Sequence, residues 1–153
     1  MDAQPDTATA GEFRLLGPLP EAVGVSYVMP VLNEAGHLAG AVAAVLAQEY
    51  EGESELIVAL GSSTDDTDAI AAELAAADPR VRLVPNPAND VSSGLTVAIR
   101  ASRFPVVIRV DAHSDLSPGY ARTAVAALRR TGAANLGGVM VAKGKGRVQE
   151  AIA

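Results

Sequence analysis

The chain has 153 residues, 49% of them hydrophobic, and a formal net charge of −6. This length predicts one domain with a sizeable core. The absence of cysteine excludes a disulfide framework and a cysteine-ligated metal site. The acidic total and the 3% aromatic content argue against a nucleic-acid partner. No apolar run reaches the roughly 18 residues that span a bilayer, and the polar N-terminus does not resemble a secretory signal, so we expect a cytoplasmic protein.

Residues 1–22 are predicted to form a flexible leader, because proline and glycine recur there and interrupt any periodic pattern. From residue 23 onward, short apolar runs alternate with helical patterns. The predicted strands are Gly24–Met29, Glu55–Leu60, Val81–Val84, Pro105–Val110 and Asn135–Val141. The predicted helices are Glu34–Gln48, Asp66–Ala77, Ser93–Ser102 and Pro118–Arg130.

Several residue types suited to helix ends mark the predicted boundaries. Asn33 is expected to cap the first helix, and Thr64 or Asp65 the second. Ser117 is expected to cap the fourth helix, and Gly132 lies just beyond its end. These signals agree with the apolar periodicity of the segments that they enclose.

The alternation of strands and helices predicts an α/β fold. The strands are continuous apolar runs, which is typical of a mostly parallel sheet with helices on both faces. In such sheets, ligands bind at the carboxyl ends of the strands, near the point where the strand order reverses. The segments of interest are therefore those that directly follow a strand.

Asp111 and His113 follow the fourth predicted strand. Residues two apart in an extended chain point to the same side, so both side chains are candidates to bind one cation. A carboxylate oxygen and an imidazole nitrogen, completed by phosphate oxygens, suit Mn²⁺ better than Mg²⁺. The alternative is an aspartate that caps the next turn, beside a surface histidine.

Two further segments follow the first and second strands. Pro30–Glu34 leads into a helix, whose N-terminus offers free N–H groups to a polar ligand. Gly61–Thr67 is rich in hydroxyl and carboxylate groups that either cap the next helix or contact a ribose. The chain has neither a Walker phosphate loop nor a Gly-x-Gly-x-x-Gly fingerprint, which argues against a P-loop enzyme and a dinucleotide enzyme.

Four segments in this order resemble glycosyltransferase family 2 and its GT-A fold. They are the strand with Pro-x-x-Asn-Glu at 25–34, the segment Leu-Ala-Gln-Glu-Tyr at 46–50 before the strand at 56–58, Ser-Thr-Asp-Asp-Thr at 63–67, and Arg-Val-Asp-Ala-His-Ser at 109–114. The last is similar to the family's Asp-x-Asp motif. With Gly94 upstream and Gly137-Gly138 downstream, it most resembles the branch that builds succinoglycan-type exopolysaccharides.

The resemblance implies a Rossmann-like nucleotide-binding half and a set of site residues. Asp111 and His113 would hold Mn²⁺ or Mg²⁺ on the diphosphate of the donor. The expected donor-binding residues are Pro30, Val31, Glu34, Asp65, Gly94 and Asp111. The family has an aspartate after its second strand that contacts the base, where this chain has Leu60 and Gly61.

The implied activity is an inverting, metal-dependent transfer of a sugar in polysaccharide biosynthesis. The donor would be a UDP-sugar in preference to a GDP-sugar, and the acceptor a glycan or a lipid-linked glycan. The family's catalytic base matches no residue here, so residues 23–153 are interpreted as a truncated, N-terminal donor-binding part that lacks the acceptor half. A longer form would act at the inner face of the plasma membrane. The alternative is a non-catalytic remnant that binds a nucleotide or a protein partner.

Overall fold

The structure is a computed structural model, and it describes residues 18–138. Four strands alternate with four helices along this part of the chain. The strands are β1 (Val25–Val31), β2 (Ser54–Leu60), β3 (Val81–Pro85) and β4 (Val106–Arg109). The helices are α1 (Leu38–Leu46), α2 (Thr67–Ala77), α3 (Val91–Ala101) and α4 (Tyr120–Thr131).

The four strands form one parallel sheet in the order β3-β2-β1-β4. In the register of the sheet, Val25 of β1 lies between Ser54 of β2 and Val106 of β4. The chain first builds the sheet outward from β1 to β3 and then returns to the other side of β1. The strand order therefore reverses between β1 and β4, and the carboxyl ends of these two strands flank the position where such folds bind ligands.

Helices cover both faces of the sheet, because alternate residues of the strands enter two separate core clusters. The larger cluster contains Tyr27 and Leu56, together with buried residues of α1, α2 and α4. The smaller cluster contains Val28 and Ile57, together with Ala98 of α3. The predicted α/β fold with a parallel sheet and helices on both faces is confirmed.

Two helices begin later than predicted, because the backbone turns before each of them. Asn33 has a φ of +54°, which helical residues do not adopt, so it does not cap α1. Backbone hydrogen bonds to the Glu34 carbonyl close a turn there, and α1 starts at Leu38. Likewise Gly119, with a φ of +70°, precedes α4 in place of the predicted Ser117 cap.

Helix α3 begins earlier than predicted. Its cap is Asp90, whose side chain accepts a hydrogen bond from the Ser93 backbone N–H. Burial extends along Gly94 and Ala98, whereas Ile99 is 50% exposed. The predicted end of α4 is confirmed, since Gly132 caps it with a φ of +67°.

The ends of the described region differ in part from the sequence-based expectation. Residues 135–138 of the predicted fifth strand form no strand, and residues 139–141 lie outside the described residues. Of the predicted leader, residues 1–17 also lie outside them. Leu19 packs against the larger core cluster, and Arg129 donates to the carbonyl oxygens of Pro20 and Glu21 at 2.6 Å. The assignment of residues 1–22 as a separate leader remains a prediction.

A buried carboxylate joins the strands near their amino ends. Glu55 is 1% exposed and accepts hydrogen bonds from Ser26 Oγ at 2.8 Å and Arg82 Nη1 at 2.7 Å. It also accepts from the backbone N–H and the Nε of Arg103, at 2.7 and 2.8 Å. Burial opposes ionisation, but these donors outweigh it and lower the pKa of Glu55 to about 2.

Candidate functional site

Glu34 and His113 bring the loops after β1 and β4 together at the carboxyl edge of the sheet. His113 Nδ1 lies 3.4 Å from Glu34 Oε1. The other carboxylate oxygen of Glu34 lies 3.2 Å from His37 Nδ1. Glu34 is thus positioned between two imidazoles, directly beside the point where the strand order reverses. Sequence reasoning placed Glu34 and His113 in this region, and the structure adds His37 beside them.

Asp111 forms an ion pair with Arg109, the last residue of β4. Arg109 Nε lies 3.1 Å from Asp111 Oδ1, and Arg109 Nη2 lies 3.3 Å from Asp111 Oδ2, so both carboxylate oxygens face the guanidinium. The Ser114 N–H donates to the Asp111 carbonyl at 2.9 Å, which makes residues 111–114 a turn. The extended geometry that was expected to align Asp111 with His113 is therefore wrong, although both residues lie in one short turn.

The residue types present fit a cation that is bound together with a phosphate ligand. Asp111 supplies oxygen ligands, and His113 supplies a nitrogen ligand in the same turn, which is a donor set that suits Mn²⁺. Residues 18–138 contain no group of three or more His, Cys, Asp or Glu side chains that could hold a metal alone. Phosphate oxygens of a nucleotide would have to complete the coordination sphere, and Asp111 would have to turn away from Arg109.

Hydrogen bonds tie the loop after β1 to the loop after β2. The Glu34 N–H donates to Thr67 Oγ1 at 2.8 Å, and the Ala35 N–H donates to Asp65 Oδ2 at 3.2 Å. In the opposite direction, Asn33 Oδ1 accepts from the Thr64 N–H at 2.7 Å. These contacts fix the position of Glu34 before any ligand arrives, which reduces the ordering cost of binding.

Asp65 is part of this loop-to-loop contact. Besides Ala35, its carboxylate accepts hydrogen bonds from the backbone N–H and the hydroxyl of Thr67. The bond from the Thr67 hydroxyl contributes most to lowering the pKa of Asp65. These bonds give Asp65 a structural role at the start of α2, and its contact with a donor remains a prediction.

The three other predicted donor-binding residues lie at the end of β1 and on α3. Val31 is 2% exposed, and its side chain packs in the larger core cluster, on the face of the sheet opposite α3. A Cβ on Gly94 would lie 2.9 Å from Asn86 Nδ2 and 3.0 Å from Pro30 Cβ. A glycine at residue 94 therefore lets α3 approach the end of β1, and direct contacts of these residues with a donor remain predictions.

The turn after β3 contributes residues that sequence reasoning missed. Asn86 is 3% exposed and donates to the Asp90 carbonyl at 3.0 Å, while its Oδ1 accepts no hydrogen bond from residues 18–138. Asn89 has a φ of +56°, and its Oδ1 accepts from the Ser62 N–H at 2.7 Å. The Asn-Pro-x-Asn-Asp sequence after an apolar strand is typical of a turn, but it does not reveal which loop the side chains contact.

Comparison with known proteins identifies the family. The family model described as Glycosyl transferase family 2 matches residues 26–152, which include every helix and strand of the described region except Val25, the first residue of β1. The chain belongs to glycosyltransferase family 2. It is 31% identical over 128 residues to the succinoglycan biosynthesis protein ExoA of Rhizobium meliloti, a member of the predicted branch. The aligned region covers 82% of this chain but only 39% of ExoA.

Solved structures confirm the GT-A fold of this glycosyltransferase family member. The mannosyltransferase PcManGT of Pyrobaculum calidifontis, solved with GDP-Man and Mn²⁺, has a TM-score of 0.62 at 24% identity and aligns over 77% of this chain and 35% of its own. Residues 1–349 of S. aureus TarS have a TM-score of 0.62 at 18% identity, and the alignment covers 70% of this chain and 32% of the TarS chain. A mycobacterial protein has a TM-score of 0.56 at 24% identity, and the alignment covers 84% of this chain and 44% of that protein.

The helices of the described region pack against the two faces of the sheet. None of them, within residues 18–138, is both long and apolar enough to cross a bilayer.

Proposed function

We propose that this chain binds the nucleoside-diphosphate sugar of an inverting, metal-dependent glycosyltransferase in polysaccharide biosynthesis. The observation that carries the proposal is the contact between His113, after β4, and Glu34, after β1, at the reversal of the strand order. This contact places Asp111 and His113 beside the loop of Glu34. The family and its parallel sheet support a nucleotide at this edge.

Each side chain has a task in this proposal. Asp111 and His113 hold Mn²⁺ or Mg²⁺ on the diphosphate, and the cation supplies electrostatic stabilisation of the departing nucleotide. Pro30 and Glu34 lie against the ribose, and Val31, whose side chain is buried in the larger core cluster, supports this loop. GDP-Man and Mn²⁺ in the mannosyltransferase PcManGT support a nucleotide sugar and a divalent cation as ligands.

The donor is proposed to be a UDP-sugar in preference to a GDP-sugar, and the acceptor a glycan or a lipid-linked glycan. The similarity to ExoA supports a role in exopolysaccharide biosynthesis. The proposed location of a longer form is the inner face of the plasma membrane. In an inverting transfer, a carboxylate base removes the acceptor proton while the acceptor attacks the donor carbon. We assign this base to no residue of the described region.

Metal-dependent nucleotide binding tests the proposal. UDP titrated calorimetrically into the protein should bind with Mn²⁺ present and much more weakly without it, and Asp111→Ala should abolish the difference. A variant that binds UDP as tightly as the wild type would refute the assigned site. A donor-hydrolysis assay on the same protein separates an active transferase from a non-catalytic remnant, because only the former releases free sugar.

A further inference from the structure

Asn89 presents an unused hydrogen-bond donor beside the proposed donor site. Its Oδ1 accepts from the Ser62 N–H at 2.7 Å, which fixes the orientation of the amide, because Nδ2 cannot accept that bond. The amide nitrogen donates to no group within residues 18–138. Asn89 is exposed, and its bond with Ser62 joins the turn after β3 to the loop after β2. The free amide hydrogens are therefore available to a ligand.

Asn89 and Leu32 meet because residue 61 has no side chain. A Cβ on Gly61 would lie 2.9 Å from Asn89 Oδ1 and 3.1 Å from Leu32 Cδ1. The two side chains close over the backbone of Gly61, which is buried, while Leu32 keeps 37% of its surface exposed. An aliphatic surface bordered by an amide suits a flat heteroaromatic ring, which packs one face on the leucine and directs an edge toward the amide.

The position of this surface matches the length of a nucleotide. Neighbouring strands lie about 4.8 Å apart, so β2 and β3 are about 10 and 14 Å from β4. A nucleotide with its diphosphate at Asp111, after β4, extends across β1 with its ribose beside Glu34. Its base then reaches the ends of β2 and β3, where Leu32 and Asn89 lie.

We infer that Asn89 reads the nucleobase of the donor by donating an amide hydrogen to a ring carbonyl. This inference rests on the proposed function and adds a substrate class to it. The ligands are diphosphates of bases that carry a ring carbonyl, such as uracil and guanine. Adenine has no carbonyl, so ADP is selected against.

The test is calorimetric titration of UDP, ADP and inorganic diphosphate, each with Mn²⁺. Asn89→Asp keeps the oxygen that accepts from Ser62 but replaces the donor with a second acceptor. It should weaken UDP binding about tenfold, which is the effect of one lost hydrogen bond, and leave the affinity for inorganic diphosphate unchanged. Asn89→Gly tolerates the positive φ and removes the amide, so it should weaken UDP to a similar extent. The wild type should bind UDP more tightly than ADP.

Asn135→Asp is the matched control. Asn135 is exposed and follows α4, outside the loops that form the proposed site. The substitution adds the same charge by the same exchange of side chains, and UDP affinity should stay within twofold of the wild type. An equal loss in both variants would assign the effect to charge and overturn the inference.

The remaining outcomes separate the inference from the proposed function. Unchanged UDP affinity in both Asn89 variants, with a wild type that binds UDP, would overturn the role of Asn89 and leave the proposed function intact. A wild type that binds neither UDP nor GDP would refute the proposed function, and the inference with it.

Discussion

The Glu55→Gln substitution is expected to destabilise the fold strongly, although it lies far from the proposed site. Glu55 is 1% exposed, and it accepts from Ser26, Arg82 and Arg103, which belong to three different segments. Glutamine has nearly the same shape but carries no charge, and its amide hydrogens face guanidinium groups. Arg82 and Arg103, which are partly exposed, then lose their counter-charge, and the buried amide hydrogens of the glutamine have no acceptor.

The pKa of Glu55 gives the magnitude. Lowering it from 4.5 to about 2 corresponds, at about 1.4 kcal/mol per pH unit, to about 3 kcal/mol of stability at neutral pH. Because the folded-state pKa is the lower one, this stabilisation is present above pH 4.5 and is lost as the pH falls toward 2. Glu55→Gln should therefore show a much flatter fall in stability over that interval than the wild type.

Urea unfolding at pH 7, and then at several values between pH 5 and pH 2.5, measures both quantities. The control is Asp78→Asn, which breaks the exposed ion pair of Asp78 with Arg80 and should scarcely change the free energy of unfolding. A loss below about 1 kcal/mol for Glu55→Gln at pH 7, or parallel pH profiles for this variant and the wild type, would show that the buried ion pairs do not stabilise the fold as described.

Two further substitutions probe the site. Gly94→Ala places a methyl group 2.9 Å from Asn86 Nδ2. We therefore expect urea unfolding to show a free energy of unfolding about 1–3 kcal/mol lower than that of the wild type, together with weaker UDP binding. A free energy equal to that of the wild type would contradict the close approach of α3. Arg109→Ala frees Asp111 from its ion pair. Calorimetry with Mn²⁺ and UDP should then show Mn²⁺ binding that is up to about fivefold tighter, because an exposed ion pair contributes at most about 1 kcal/mol. Arg100→Ala removes an equal charge from α3 as the control, and weaker Mn²⁺ binding in Arg109→Ala alone would show that Arg109 supports the metal instead of competing with it.

Much of the fold could be predicted from the sequence, because burial on both faces leaves a nearly continuous apolar pattern in the two inner strands, β1 and β2. The segments 25–29 and 56–60 read directly as interior strands, and they are the two inner strands of the sheet. The errors lie where one residue adopts an unusual backbone conformation. Asparagine is a residue type that often caps helices, but Asn33 adopts a positive φ, and α1 begins only at Leu38.

The site was predictable only in outline. The order of strands and helices indicated the carboxyl edge, and the resemblance indicated Glu34, Asp111 and His113. The contacts of these side chains join loops that are far apart in the chain, such as Asn89 with Ser62 or His113 with Glu34. Spacing within one segment does not encode such contacts.

The most direct test of the central claim is UDP titration with and without Mn²⁺ into the wild type, Asp111→Ala and Asp68→Ala. Asp68 is an exposed carboxylate in the first turn of α2, so its variant controls for lost charge. We predict Mn²⁺-dependent binding of UDP to the wild type and Asp68→Ala, and its loss in Asp111→Ala. Equal binding by all three proteins, or binding that ignores Mn²⁺, would contradict a donor site built on Asp111 and His113.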